Sequence, residues 1–173
     1  MAVGNLEFIK SASGTSVSSL SVTDCFSAKY DVYFFQYANV ENSASTNHMI
    51  RLIDSGGTPI SQSEYDWAIL QFQAGGDLNV YNYTATNQSS NTSFSFVSRK
   101  DADATGLGIS GYFFNPYDSS SYTFYKSQSS FISTNFAIRK MIGVHQVAEQ
   151  ISGFQVFPDS GTFTLDISVY GVK

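Results

Sequence analysis

The carboxyl-terminal segment of the chain alternates apolar and polar side chains without interruption. Its apolar positions are Phe163, Leu165, Ile167 and Val169, and the pattern ends at Gly171. Because successive side chains of a β-strand point to opposite faces, this period of two predicts a strand with one buried face. We expect the four apolar side chains to form an inward-facing row of the core.

Segments of strand character recur along the rest of the chain at intervals of about 8 to 12 residues. Aromatic residues make up 16% of the sequence and charged residues 13%, a composition that favours strands over helices. No segment sustains the i, i+3, i+4, i+7 apolar spacing of an amphipathic helix. We therefore predict an all-β protein, an antiparallel β-sandwich of jelly-roll type with about ten strands, that forms a single domain over residues 1–173.

One stretch interrupts the series of predicted strands. Residues 81–93, YNYTATNQSSNTS, are polar and of low complexity. Such composition is typical of a connecting segment, so we predict a long loop there.

The charge and the absence of apolar runs narrow the classes of partner. The net charge is −5, and the nine Lys and Arg residues are spread along the chain without forming a basic stripe. Because phosphate contacts require such a stripe, we predict no nucleic-acid partner. No run approaches the roughly 20 apolar residues of a membrane helix, and no export signal opens the sequence, so we expect no membrane partner and synthesis in the cytoplasm.

Few side chains offer catalytic chemistry. His48, beside a polar loop, is expected to be exposed, and His145, near a strand end, is expected to be exposed or at an interface. The lone cysteine, Cys25, cannot form an internal disulfide and is expected to be a buried structural thiol, although a Cys25–His145 nucleophile pair stays open. We predict no enzymatic activity, no catalytic residues and no cofactor.

One acidic segment partly resembles a calcium-binding loop. Asp101 and Asp103 begin the segment DADATGLGISGY, where alternating oxygen ligands and a glycine match the first half of such a loop. The twelfth position is Tyr112, where a bidentate glutamate is required. We therefore expect an ordinary acidic turn and no metal.

The many aromatic residues allow two interpretations. Trp67 near Tyr65, and the pair Tyr81 and Tyr83, could form a platform that stacks on sugar rings. Alternatively, runs such as VYFF place aromatic side chains on both faces of a strand, so that one face packs the core and the other packs a neighbouring protein.

Three segments carry a resemblance to a known group of proteins: VTDCFSAKYDVYFF, RLIDSGGTPISQSEYDWA and ISGFQVFPDSGTFTLDISVYGVK. The matching residues are Phe26, Tyr30, Asp31, Tyr33, Arg51, Leu52, Gly57, Tyr65, Ala68, Gly153, Phe154, Gly161, Tyr170, Gly171 and Lys173. With these residues the chain resembles virion structural proteins of tailed bacteriophages, especially marine ones. The resemblance leaves out about residues 75–135.

The resemblance implies a jelly-roll building block of a phage particle, located on the head or in a tail fibre. Because the chain lacks the coiled-coil or β-helical pattern of a fibre shaft, we expect a head decoration or cement protein. Its expected partners are the major capsid protein and copies of itself, with a trimer favoured, and its expected location is the virion. The alternatives are a tail-fibre receptor-binding module that recognises host glycans and, third, a depolymerase that would need a carboxylate pair.

Overall fold

A computed structural model describes residues 5–74, 82–100, 107–132 and 136–173. Within these ranges the chain forms twelve strands and no helix, and so no helix that could cross a membrane. The strands are β1 (Leu6–Val17), β2 (Leu20–Val22), β3 (Val32–Asn42), β4 (Thr46–Asp54), β5 (Tyr65–Ala74), β6 (Asn82–Asn91), β7 (Phe94–Lys100), β8 (Leu107–Phe114), β9 (Thr123–Ile132), β10 (Phe136–His145), β11 (Ile151–Pro158) and β12 (Phe163–Val172).

The strands form two antiparallel sheets that pack as a sandwich. The larger sheet has the order β1-β12-β3-β8-β9-β10-β5-β6, and the smaller has the order β2-β11-β4-β7. The first strand thus lies beside the last, and the second beside the last but one, as when a chain wraps into a jelly roll. Two further hairpins, β5–β6 and β9–β10, extend the larger sheet beyond β8. The predicted antiparallel β-sandwich of jelly-roll type is confirmed, with twelve strands in place of about ten.

Aromatic rings fill the space between the sheets. Phe35 and Phe113 of the larger sheet contact Phe154 of the smaller sheet, with ring centroids 5.7 and 5.0 Å apart. Phe94 stacks on Tyr125 at 4.8 Å. Since each ring removes a large apolar area from water, these contacts between the two sheets supply much of the stabilisation of the fold.

The closing strand, β12, lies inside the larger sheet, between β1 and β3. Phe163, Leu165, Ile167 and Val169 are all at most 1% exposed. The predicted inward-facing row is therefore confirmed. Gly171 continues that row where the ring of Tyr30 leaves no room for a Cβ atom, which would lie 2.4 Å from the ring.

The polar segment predicted as a loop contains a strand, and that prediction is wrong. Residues Asn82–Asn91 form β6, which pairs with β5 from Gln73↔Asn82 to Tyr65↔Asn91. β6 is the edge strand of the larger sheet, and most of its described side chains are exposed. A strand held mainly by backbone hydrogen bonds to one neighbour needs no apolar alternation, so the periodicity signal is missing.

Candidate functional site

A row of aromatic side chains crosses the outer face of the larger sheet. Phe8, Tyr170, Phe34 and Tyr112 occupy facing positions on four consecutive strands, β1, β12, β3 and β8. Successive ring centroids are 5.8, 6.0 and 5.3 Å apart. Each residue is an outward position of its own strand, and the antiparallel register places the four side by side. We call these four residues the aromatic row.

Strand pairing also aligns side chains beyond Tyr112, across β9, β10, β5 and β6, and an apolar groove lies among them. From Tyr112 the facing positions are Lys126, Ile142, Ala68 and Asn87. Phe114 and Phe124 face each other beside this line. An open groove of about 660 Å³ lies along this line, and we call it the groove. The side chains that border it include Lys126, Ile142, Ala68, Asn87, Gln88, Phe114 and Phe124.

The groove exposes large apolar side chains to solvent. Ile142 is 63% exposed and Phe124 is 47% exposed, while Phe8 at the far end of the aromatic row is 58% exposed. Large exposed apolar patches on soluble domains mark sites where another molecule binds. The outer face therefore has the character of a binding surface.

The polar groups near the groove are partly engaged within the protein. The Asp66 carboxylate accepts hydrogen bonds from the Ser90 backbone N–H, at 2.8 Å, and from the side chain of Gln146. Asp66 is the one carboxylate among the described residues that line the groove. Glycoside hydrolysis uses a pair of carboxyl groups, so the groove lends no support to a depolymerase.

The structure tests the predicted sugar platform at Trp67. Trp67 is 4% exposed and belongs to the core on the inner face of β5, so the expectation of an exposed stacking ring there is wrong. Tyr65, two residues earlier on the same face, is fully buried as well. Tyr83 lies on β6 opposite Phe72, whereas Tyr81 lies outside the described residues. Binding at those two tyrosines stays a prediction, as does the turn at Asp101 and Asp103, which also lie outside the described residues.

Both histidines are fully buried, so the expectation of an exposed His48 is wrong, and of the two roles expected for His145, exposed or at an interface, exposure is wrong. His48 lies on β4, where Nε2 donates to Asn42 Oδ1 at 3.0 Å and Nδ1 accepts from the Ser98 hydroxyl at 3.1 Å. Since both ring nitrogens are satisfied, His48 serves as a structural core residue. His145 ends β10, with Nε2 3.2 Å from a carboxylate oxygen of Glu64.

Cys25 is confirmed as a buried thiol. Its side chain is 2% exposed, and Sγ lies 3.4 Å from the carbonyl oxygen of Val22. Burial raises the pKa of the Cys25 thiol far above its ordinary value, which keeps it protonated and unreactive at neutral pH.

The sequence indicates part of the aromatic row. Runs such as VYFF, and likewise GYFFN at residues 111–115, predict outward-facing aromatic side chains, which include Phe34 and Tyr112. Nothing in the sequence indicated that these two rings would align with Phe8 and Tyr170 from opposite ends of the chain. No protein-family model and no curated protein matches the chain.

Proposed function

We propose that this protein decorates the head of a tailed-phage virion and docks on the major capsid protein through the outer face of its larger sheet. The observation that carries the proposal is the exposed apolar surface formed by the aromatic row and the groove. The phage context comes from the resemblance of the three sequence segments. The proposed role is structural, without catalysis, a cofactor, nucleic acid or a membrane.

The outer face is large enough for stable attachment. Eight strands at a spacing of about 4.8 Å make a sheet about 34 Å wide, and strands of about nine residues make it about 30 Å long. The face therefore covers on the order of 1,000 Å², against the roughly 800 Å² that each partner buries in a stable complex of standard size. Most of the face would be covered by a docked partner.

The chemistry of the face suits a protein partner. Lys126 and Lys140 are the basic side chains among its exposed residues on β9 and β10; Lys126 faces Tyr112 and Ile142, and Lys140 faces Gln128 and Leu70. Interfaces are enriched in aromatic side chains at their centre and depleted of charge there. The bound form is proposed to be a closed homo-oligomer, with a trimer matching the threefold positions of an icosahedral shell.

Imaging and stability measurements on particles test the proposal. Labelled protein viewed by electron microscopy should lie over the head, and particles assembled without it should lose mechanical or thermal stability. Label at the tail tip, or particles of unchanged stability whose adsorption to host cells falls, would overturn the head-decoration proposal.

The groove favours a second candidate function, a tail-fibre module that recognises host surface glycans. Phe114 and Phe124 line the groove from β8 and β9, and the amide groups of Asn87 and Gln88 line it from β6. Aromatic faces stack on sugar rings, and side-chain amides bond sugar hydroxyls. Binding on a glycan array that is lost in Phe124→Ser would support this function, and an array without signal would remove it.

A further inference from the structure

Three potential metal ligands converge at the end of β10, away from the residues that line the groove. His145 Nε2 lies 3.2 Å from Glu64 Oε2 and 3.7 Å from Glu149 Oε1. Each residue offers one donor atom, and the three donor atoms lie within 4.8 Å of one another. We call these residues the Glu-His-Glu cluster.

The backbone holds this cluster in place. His145 pairs with Tyr65 of β5 on one side and with Thr123 of β9 on the other. The backbone N–H of Gln146 donates to the carbonyl of Glu64 at 2.8 Å. This bond holds Glu64, which precedes β5, next to the end of β10. Sheet pairing therefore fixes His145 and the residue that precedes β5, whereas Glu149 reaches the cluster from the connection between β10 and β11.

Hydrogen bonding within the protein does not account for the arrangement. His145 is fully buried, and Nε2 can donate only one hydrogen, which the contact with Glu64 uses. At 3.7 Å, Glu149 is too far for a hydrogen bond, and the described residues offer its carboxylate no other donor. Nδ1 of His145 is also buried without a hydrogen-bond partner among the described residues. In the metal-free protein the Glu64 carboxylate therefore favours the tautomer that donates from Nε2, and a metal bound at Nε2 would have to displace that proton.

The cluster places two carboxylates around one imidazole nitrogen, Nε2 of His145. Both carboxylates would attract a cation at the centre of the cluster, and Nε2 would offer it a lone pair once its proton had left.

We propose that Glu64, His145 and Glu149 bind a divalent transition-metal ion, with Zn²⁺ as the ion to test first. Zinc takes imidazole nitrogen and carboxylate oxygen at about 2.0–2.2 Å, so two ligands at the tetrahedral angle lie about 3.4 Å apart. The contacts of 3.2 and 3.7 Å bracket this value. A nitrogen ligand disfavours Ca²⁺ and Mg²⁺, which prefer oxygen alone. Both glutamates are about one-third exposed, so water can complete the coordination.

The ion would act as a clamp between the start of β5 and the connection from β10 to β11. This role is independent of the proposed head decoration, because the three ligands do not line the groove. A failure to bind zinc would therefore leave the docking proposal unaffected.

Zinc titration of the purified full chain, freed of metal with EDTA and dialysed, tests the site. Calorimetry should show one Zn²⁺ per chain. At free zinc about 100-fold above Kd, the Tm should rise by about 5–10 °C for a protein of this size. Co²⁺ should give a visible absorption spectrum that excess Zn²⁺ abolishes.

Variants at the two glutamates separate a metal role from a structural one. Glu64→Gln and Glu149→Gln should each weaken zinc binding at least 10-fold. In EDTA both variants should keep a Tm close to that of the wild type, because Glu64→Gln retains an oxygen that can accept from His145 Nε2 and the Glu149 carboxylate lies too far away for a hydrogen bond. Glu41→Gln, an exposed position on β3 outside the cluster, is the matched control and should bind zinc like the wild type. Circular dichroism should show that all three variants are folded.

Two results would overturn the proposal. One is a wild-type chain that shows neither binding heat nor a Tm shift with Zn²⁺ and Co²⁺. The other is zinc binding by Glu64→Gln and Glu149→Gln that is as tight as in the wild type.

Discussion

If the protein docks on the capsid as proposed, replacing Phe124 and Ile142 by serine should weaken that docking. Full burial of a Phe or Ile side chain stabilises a complex by about 1.5–3 kcal/mol. Ile142 is 63% exposed and Phe124 is 47% exposed in the free protein, so a docked partner would bury the remaining part. Scaled by these fractions, the double variant should lose about 2–3 kcal/mol of binding free energy, or about 30–150-fold in Kd.

The assay is co-sedimentation of purified protein with particles that lack it, at 20 °C, with Kd obtained by titration. The control is Phe157→Ser, which makes the same change on β11 of the smaller sheet, where the ring packs under the guanidinium of Arg51 at 4.4 Å. Each substitution also removes apolar contacts within the fold and should cost about 1–2 kcal/mol of stability. If only the double variant loses affinity, the loss comes from the outer face of the larger sheet and not from a less stable fold.

Wild-type affinity in the double variant would refute this reasoning, whatever the control shows. If Phe157→Ser then loses affinity, the capsid contacts the smaller sheet. If neither variant loses affinity, attachment runs through loops or edges, and the outer face of the larger sheet has another role.

Three further predictions follow from single sites. Gly153→Ala should lower the free energy of unfolding in urea by at least about 2 kcal/mol, because the added Cβ would lie 2.1 Å from the carbonyl oxygen of Val22; a smaller loss would mean that β2 shifts freely. Cys25 should not react with a thiol reagent at pH 8 in the folded protein and should react fully in denaturant, because burial raises the pKa of the thiol; reaction in the folded state would contradict its burial. Ion pairs with Lys29 and Lys173 lower the pKa of Glu7 to about 2, so its stabilising effect is present above about pH 4.5 and is lost as the pH falls toward 2. The Tm difference between wild type and Glu7→Gln should accordingly be seen at pH 7, shrink over that range and shrink in high salt, and a constant difference would rule out the ion pairs as its source.

The sequence predicted the fold class because that class depends on local patterns. The alternation from Phe163 to Val169 specifies a strand with one buried face, whatever its neighbours are. The aromatic and β-branched content, with no helical periodicity, specified that the remaining elements would also be strands. The jelly-roll type followed from the spacing of those strands and from the resemblance to phage virion proteins.

Burial of individual polar or aromatic side chains could not be predicted in the same way. The polar loop before His48 predicts an exposed side chain, but the larger sheet covers the inward face of β4, where the rings of Phe163 and Tyr37 lie 5.6 and 6.5 Å from the imidazole. Trp67 was expected at the surface, but its place in the alternation of β5 turns it inward. Whether such a residue faces the core depends on which distant strands cover it, and the sequence around it does not record that.

The sequence by itself determined that this chain forms strands and that β12 buries one face. Its composition, with few charged and many aromatic residues, indicated a large apolar core. Only the tertiary structure decided which surfaces can bind. It aligned Phe8 with Tyr170 across the ends of the chain and brought Glu64 close to His145 and Glu149. Local propensity acts over a few residues, whereas both arrangements depend on antiparallel pairing between distant segments, of β1 with β12 and of His145 with Tyr65, the residue after Glu64. That register is set by the packing of the whole sandwich.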